Sequence, residues 1–191
     1  MGIGRQWEDI GTTTFRAEGH PNGDGGEGDS AGGPYPVPPG RRGWPTLVIE
    51  AGYSESSEQL KRDMEWWFSA SNHEVKIIVL AKFDRQRQKI FLDKYEEELQ
   101  DQPAPRSGPV TRSAIARHGQ VLVPVRQQEI TITRNTGTIP TTYNVARGTL
   151  TLSFHLLFLR NPDPIRGEGD LVWSIAQMEE YAERVWSRVP V

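Results

Sequence analysis

Apolar positions in the middle of the chain follow first the period of a strand, then that of a helix, then that of a strand again. Segments 46–51 and 74–84 are β-favouring apolar runs. Between them, Ser56 and Gln59 fit a capping box and Asn72 fits a helix stop. One helical stripe is formed by Leu60, Met64, Trp67 and Phe68. The pattern predicts a strand–helix–strand unit, with a right-handed crossover if the strands are parallel.

The second half of the chain predicts further strands and a closing helix. Segment 89–98 begins with alternating apolar residues and is expected to form a hairpin with 74–84. Segment 120–134 predicts one or two strands, with Pro124 at an edge or a break. Segment 148–160 is mostly apolar and predicts a buried strand. The last 16 or so residues form a helical stripe of Ile175, Met178, Tyr181, Ala182 and Val185.

Glycine, proline and charge dominate two other segments, which we expect to be loops. Residues 17–43 predict a long Gly/Pro-rich loop, and residues 100–119 predict an exposed one. A chain of 191 residues fits one domain, so residues 1–191 are expected to fold as a unit. The order of elements predicts an α/β or α+β domain with a mixed central sheet flanked by helices.

Composition removes several kinds of chemistry. The chain has no cysteine, which excludes disulfides and thiolate sites. Its histidines lack the spacing of a helical zinc site: they are His20, His73, His118 and His155. No apolar run approaches the roughly 18 residues of a membrane span, so no membrane partner is predicted. We expect a soluble protein of the cytoplasm or nucleus, for which a homodimer is compatible with the sequence.

Charge is unevenly distributed along the chain. Residues 101–160 carry seven arginines against two acids. Such a segment predicts contacts with the phosphates of DNA or RNA, and a solvated surface is the alternative. The candidate residues are Arg106, Arg112, Arg117, Arg126 and Arg134.

Glu50, at the end of an apolar strand, needs a partner because burying an unpaired carboxylate is costly. Glu74 and Lys76 share a face of the next strand, and Lys76 meets Glu50 if the two strands are neighbours. Carboxylates and an amine are what phosphodiester cleavage assisted by Mg²⁺ or Mn²⁺ requires. The alternative is a salt bridge at a strand end.

Several quoted segments together resemble a family of uncharacterised fungal proteins. They are "GDS" (28–30), "WPTLVIEAGYSES" (44–56), "LKRDMEWW" (60–67), "EVKIIVL" (74–80), "TLSFHLLFLRNPDP" (151–164) and "GEGDLVWS" (167–174). That family is itself similar to bacterial restriction-endonuclease-like proteins of the PD-(D/E)xK nuclease superfamily. The resemblance implies a restriction-endonuclease-like fold and a metal-dependent nuclease of DNA or RNA.

By this resemblance, Glu50 matches the acid of the family's strand and Asp29 matches an upstream aspartate, and both are expected to hold the metal. The chain departs from the pattern at Thr46, where the bacterial proteins usually have aspartate. The bacterial lysine lies on the helix, where the nearest match here is Asp63. The assisting lysine is therefore expected to be either Lys61 or Lys76, and Lys76 is preferred because a strand holds it more rigidly.

The sequence is compatible with three functional hypotheses. The first is a nuclease with Asp29, Glu50 and Lys76 as its catalytic residues. The second is an inactive module of the same fold that binds nucleic acid or a protein through the arginine-rich segment. The third is a small-molecule enzyme with the Gly/Pro loop as a lid, which predicts a deep apolar pocket beside Glu50.

Overall fold

A mixed sheet of seven strands forms the centre of the structure, a computed structural model that describes residues 6–11, 13–17, 25–53, 56–101 and 120–188. Its strands are β1 (Trp7–Asp9), β4 (Ser30–Pro34), β5 (Leu47–Gly52), β6 (Ile77–Asp84), β7 (Lys89–Asp101), β8 (Gln120–Asn135) and β9 (Thr142–Ala146). They lie side by side in the order β1-β4-β5-β6-β7-β8-β9. Strands β5 and β6 pair in parallel, and the other pairings in this sheet are antiparallel.

Smaller elements cover the two faces of this sheet. Two short antiparallel pairs join β2 (Phe15–Arg16) to β3 (Gly25–Gly26) and β10 (Leu150–Leu152) to β11 (Leu171–Trp173). The helices are α1 (Ser57–Ala70), α2 (Phe154–Phe158) and α3 (Ile175–Arg188), with a 3-10 turn at Pro164–Arg166. The expected mixed α/β class is confirmed, with a sheet that is mostly antiparallel.

The alternation of side chains along β5 and β6 divides the core into two clusters. Val48 and Ile78 face α1 and pack against Leu60, Met64 and Trp67. On the other face, the neighbouring strand residues pack against α2 and α3; this cluster includes Ile77, Val79, Phe154, Met178 and Ala182. Residues on these two faces alternate because successive side chains of a strand point to opposite sides.

The predicted strand–helix–strand unit is confirmed. Ser56 is the N-cap of α1, and its side chain accepts a hydrogen bond from Gln59 N at 3.1 Å. After α1, Asn72 and His73 adopt left-handed backbone conformations that end the helix. The chain then returns to form β6 parallel to β5.

The expectation that 17–43 is mostly loop missed two short strands, because the described part of the segment contributes β3 and β4. Gly32 of β4 lies against the ring of Trp7, and a Cβ on Gly32 would come within 2.6 Å of that ring. Glycine is therefore required for close packing here, and its loop-like composition hid a strand.

The prediction of one strand over 148–160 is wrong, because the run divides into β10 and α2. Phe154 N, at the start of α2, donates to Asp170 Oδ1 at 2.8 Å. This remote carboxylate satisfies a backbone donor that a helix leaves free at its first turn. A continuous apolar run does not by itself distinguish a strand from a buried helix.

The strand and the closing helix predicted for the second half of the chain are both present in the structure. Segment 120–134 lies in one long strand, and Pro124 lies where β8 pairs only with β7 among the described strands. The closing helix is confirmed as α3. Of the expected loop 100–119, residues 102–119 lie outside the described residues. No helix in the described part of the chain has the length and apolar character needed to cross a membrane.

Candidate functional site

Glu50 points toward α1 although it belongs to an apolar strand. It shares a face of β5 with Val48, which packs in the α1 cluster, whereas Ile49 packs on the opposite face. Trp67 Nε1 of α1 donates to Glu50 Oε1 at 2.5 Å. Trp67 is only 1 % exposed, so the core holds this donor in place. The carboxylate therefore lies at the rim of the core, with one oxygen oriented by a buried side chain.

Asp29 lies beside Glu50 because of the antiparallel pairing of β4 and β5. Ser30 pairs with Ile49, so the preceding residue, Asp29, lies next to Glu50. Asp29 Oδ2 accepts a hydrogen bond from Ala51 N at 2.7 Å. The two carboxylates predicted as metal ligands are thus brought to the same edge of the sheet.

An open cavity of about 550 Å³, which we call the carboxylate cleft, contains both acids. It lies between β5, α1 and the segment that runs from β3 to Asp29. Its main lining residues are Asp29, Glu50, Gln59, Arg62, Asp63 and Trp66. Among the described residues, and with Glu27 included, the lining has four carboxylates and one guanidinium. Such a charge balance favours a cation and opposes an uncompensated anion.

Burial raises the pKa of Glu50 from its ordinary 4.5 to about 7. This pKa includes smaller opposing effects: hydrogen bonds from the Trp67 side chain and from the Asp29 backbone lower it, and the negative charges of Asp29 and Asp63 raise it. The ionised carboxylate is therefore short of positive partners in the protein itself. A bound cation would compensate for this charge.

The donor set fits a hard divalent cation. The hydrogen bonds from Trp67 and Ala51 each use one oxygen of a carboxylate, which orients the second oxygen of Glu50 and of Asp29. Within the described residues, no three acids or histidines form a ready-made metal cluster. Mg²⁺ is usually held by one or two carboxylates together with water and substrate phosphate. Two ligands from the protein are therefore sufficient.

The structure does not bring Lys76 to this site, so its predicted contact with Glu50 is wrong. Leu80, not Lys76, pairs with Glu50 across the parallel strands. Four residues of strand separate the two positions by about 13 Å. Lys76 Nζ instead donates to His73 O at 2.5 Å. Burial and then Arg41 lower the pKa of Lys76.

Glu74 forms a salt bridge at a strand end, which is the alternative to a catalytic role. Its carboxylate forms a salt bridge to Arg41 at 3.5 Å and accepts from Arg42 N at 3.1 Å. Glu74 therefore joins the start of β6 to the loop before β5. This contact lies at the opposite end of β5 from Glu50.

Among the described residues, the cation that lines the carboxylate cleft is Arg62, which is not among the site residues predicted from the sequence. Arg62 Nη2 donates to Gln59 Oε1 at 2.5 Å, and Gln59 Nε2 donates to Asp63 Oδ1 at 2.8 Å. The available signal was helical spacing, since residues three and four apart share a helix face. Lys61 lies on the other flank of α1, where it lines a different cavity and interacts with Asp93.

The predicted phosphate-binding arginines do not line the carboxylate cleft where the structure describes them. Arg126 lies between two carboxylates, at 3.4 Å from Asp93 and 3.0 Å from Glu129. The Arg134 guanidinium lies over the Trp186 ring at 5.0 Å. Both arginines are thus used in contacts within the protein. Arg106, Arg112 and Arg117 lie outside the described residues.

An apolar cavity of about 460 Å³ lies on the opposite face of the sheet from Glu50. Ile49, Leu152, Trp173 and Tyr181 are among its lining residues. The sheet itself separates this cavity from the carboxylates. For the described residues, the apolar cavity that a small-molecule enzyme predicted beside Glu50 lies on the other face, and the cavity beside Glu50 is the polar carboxylate cleft.

Comparisons with known proteins add no relative to this description. The chain matches no protein-family model, no curated protein and no solved structure. What can be inferred about function therefore comes from the residues of the carboxylate cleft and from their chemistry.

Proposed function

We propose that the protein is a metal-dependent nuclease that hydrolyses phosphodiester bonds of DNA or RNA at the carboxylate cleft. The observation that carries this proposal is the convergence of Asp29 and Glu50 in an open, acidic cavity. A polyanion can enter such a cavity only when a cation offsets the carboxylates. Phosphodiester hydrolysis fits such a site, because its substrate is a polyanion and its chemistry uses a bound cation.

The residues of the cleft have distinct roles in this proposal. Asp29 and Glu50 hold Mg²⁺ or Mn²⁺, and the N–H groups of Ala51 and Trp67 fix their orientation. When bound, the ion polarises the phosphate and lowers the pKa of a bound water. Arg62 takes the place that was predicted for a lysine and contacts the phosphate, because a guanidinium binds phosphate oxygens in a bidentate manner.

The order of elements supports a restriction-endonuclease-like fold for this nuclease. In the proteins that the chain resembles, a strand carrying the acid is followed by a serine-containing turn, a helix, and a strand with an outer hairpin. Strand β5 with Glu50, the Ser56 cap, α1 and the β6–β7 hairpin occur in that order. The acid lies at the carboxyl end of β5, where ligands bind in sheets with parallel strands.

Cleavage assays on the full chain test the proposal. We expect Mn²⁺ or Mg²⁺ to support cleavage of at least one of single-stranded or duplex DNA or RNA. Glu50→Gln and Asp29→Asn should each abolish cleavage and weaken cation binding in calorimetry, because each removes a charged ligand. Glu65→Gln is the matched control, since Glu65 lies on the exposed outer side of α1.

The control should keep both activities, and thermal melting should show that all variants are folded. Absence of cleavage with every nucleic acid, together with absence of cation binding in calorimetry, would refute the nuclease proposal. Equal loss in the Glu65 variant would also refute it, because that result would assign the effect to net charge.

A second candidate, an inactive module that binds nucleic acid, is favoured by one observation. No lysine is found among the described residues that line the carboxylate cleft. Gel shifts at two salt concentrations separate the candidates. An inactive module keeps a salt-sensitive shift in the Glu50 variant and cleaves nothing, whereas a protein-binding module shows no shift at either concentration.

A further inference from the structure

A second polar cavity, of about 280 Å³, lies on the other flank of α1. We call it the lysine cleft, and its lining includes Ser57, Lys61, Lys82, Phe91 and Asp93. It opens on the same face of the sheet as the carboxylate cleft, because it lies over the α1 side of β6 and β7. The first turns of α1 separate the two cavities.

Lys82 places the lysine cleft close to Glu50. Lys82 pairs with Gly52, and both Glu50 and Lys82 lie on the α1 face because residues two apart in a strand share a face. Two residues along the strand and one strand across give about 8 Å between their backbones. A chain of phosphates bound at Glu50 can therefore reach Lys82 without passing around the sheet.

The lysines of this cleft are the cations that remain available to a ligand. Among the described residues, no carboxylate lies within salt-bridge distance of Lys61 or Lys82, and Lys82 Nζ donates to Ser57 Oγ at 3.0 Å. Glu58 and Asp93 interact with them only at longer range. The other charges of the cavity are paired: Arg87 with Asp84, and Arg126 with Asp93 and Glu129.

Phe91 gives the cavity an apolar surface next to these lysines. It pairs with Lys82 across the β6–β7 hairpin and is partly exposed in the cavity. An accessible aromatic ring with flanking cations is the arrangement that binds single-stranded nucleic acid, in which bases stack and phosphates meet positive charge.

We propose that the lysine cleft binds the nucleotide next to the scissile phosphate of a single-stranded polynucleotide, with Lys61 and Lys82 on its phosphates and Phe91 on its base. This inference rests on the proposed function in taking nucleic acid as the ligand. It names the class of substrate as a polynucleotide, because the ligand has one phosphate at the carboxylate cleft and the neighbouring nucleotide in the lysine cleft.

Fluorescence anisotropy on the full chain tests this site with labelled single-stranded DNA and RNA oligonucleotides in Ca²⁺. Ca²⁺ takes oxygen ligands and offsets the carboxylates of the neighbouring cleft, so that a polyanion can enter. Gel electrophoresis after each titration checks that the oligonucleotide is intact, so that the signal reports binding alone. We expect Lys61→Ala/Lys82→Ala to weaken binding at least about tenfold and to lower the slope of log K against log salt by about 1.4, at about 0.7 per phosphate contact. Lys61→Arg/Lys82→Arg should keep binding close to wild type.

The matched control is Arg184→Ala/Arg188→Ala, which removes two exposed positive charges from α3 on the opposite face. It should leave both affinity and salt slope unchanged. Phe91→Leu should weaken binding by about tenfold without changing the salt slope, as expected for a lost stacking contact.

Each outcome decides one of the two proposals. If the lysine double variant binds like the α3 control, the lysine cleft is not a nucleotide site, while metal-dependent cleavage at Glu50 still stands. If binding depends on the lysines but no cation supports cleavage, the site stands and the nuclease proposal falls. Two results overturn the site. One is that wild type does not bind the oligonucleotides. The other is that the lysine double variant weakens mononucleotide binding as much as it weakens oligonucleotide binding.

Discussion

At the scale of single residues, Glu50 shows how an apolar strand can carry a carboxylate whose pKa is raised. Its neighbours on the same face of the sheet belong to the core, and burial raises its pKa to about 7. The buried Trp67 N–H orients one oxygen and offsets part of that shift. In the proposed nuclease, ionisation of this acid near neutral pH is coupled to binding of the cation.

Cation affinity is predicted to depend on pH around the pKa of Glu50. Below about 7 the carboxyl is protonated, so each bound cation displaces a proton and affinity rises about tenfold per pH unit. Above about 7 the affinity should level off. Calorimetry with Mn²⁺ between pH 5.5 and 8.5 measures this profile. A profile without a break in this range contradicts the raised pKa.

Trp67→Phe provides an internal check on that profile. The variant keeps an aromatic ring in the core but removes the N–H that lowers the pKa of Glu50. The break in cation affinity should therefore move to higher pH. Phe68→Leu is the control, because it disturbs the same buried cluster without touching Glu50. A shift of the break in the control as well would assign the effect to packing.

The same group is predicted to make stability depend on pH. Because its pKa is raised in the folded state, Glu50 contributes stability that is complete below about 4.5 and is lost as pH rises through about 7. Urea denaturation at pH 5 and pH 8 should show this loss in wild type and a smaller loss in Glu50→Gln. Added Mn²⁺ should restore the stability of wild type at pH 8. Equal pH dependence in both proteins contradicts the assignment.

At the scale of elements, α1 is the part that organises both cavities. One flank carries Gln59, Arg62 and Asp63 into the carboxylate cleft, and the other carries Lys61 into the lysine cleft. Its position is fixed by a buried stripe that packs against β5 and β6. The first turn of α1 therefore affects the geometry of both clefts, because it lies between the two proposed sites.

Removing the cap of α1 should destabilise the fold. Ser56→Ala leaves Gln59 N without its side-chain acceptor, at an expected cost of about 1 kcal/mol in the free energy of unfolding. Ser69→Ala, near the exposed end of α1, is the control and should be close to neutral because alanine is the better helix former. Urea denaturation measures both. Equal losses in the two variants contradict a specific capping role.

Elements with local signals were predictable from the sequence, and those fixed by distant contacts were not. The cap and stripe of α1 are read within 15 residues, and both agree with the structure. Strand β4 depends on Trp7 packing over Gly32, and α2 depends on a carboxylate 16 residues away. Neither partner is visible in a local pattern.

The candidate site also contains residues that were predicted correctly and one that was not. Asp29 and Glu50 converge as the resemblance implied, but Lys76 does not join them. The failure is one of register: residues 74–76 connect the turn after α1 to β6, so Leu80 arrives beside Glu50. Register in a parallel pair is set by packing on both faces of the sheet, which the sequence of one strand does not specify.

At the scale of the whole molecule, Arg160 joins segments from both ends of the described chain. Its guanidinium donates to both oxygens of Glu168, at 2.6 and 2.7 Å, and to Gln6 Oε1 at 2.6 Å. It also lies over the Phe154 ring at 4.9 Å. The residue before β1 is thus fixed to α2 and to the segment before β11. The edge of the sheet that carries β4 and Asp29 is held through this contact.

This contact is predicted to support the fold in a pH-dependent manner. The Arg160 hydrogen bonds lower the pKa of Glu168 to about 2. A lowered pKa contributes stability above about 4.5 that is lost as pH falls toward 2. Urea denaturation should therefore show a difference in free energy of unfolding between wild type and Glu168→Gln that is largest near pH 6. This difference should shrink toward zero as the pH falls. Glu180→Gln, which breaks an exposed pair with Arg184 on α3, should show almost no difference at any pH. A constant difference for Glu168→Gln from pH 6 to pH 2 would show that the carboxylate acts through packing and not through its charge.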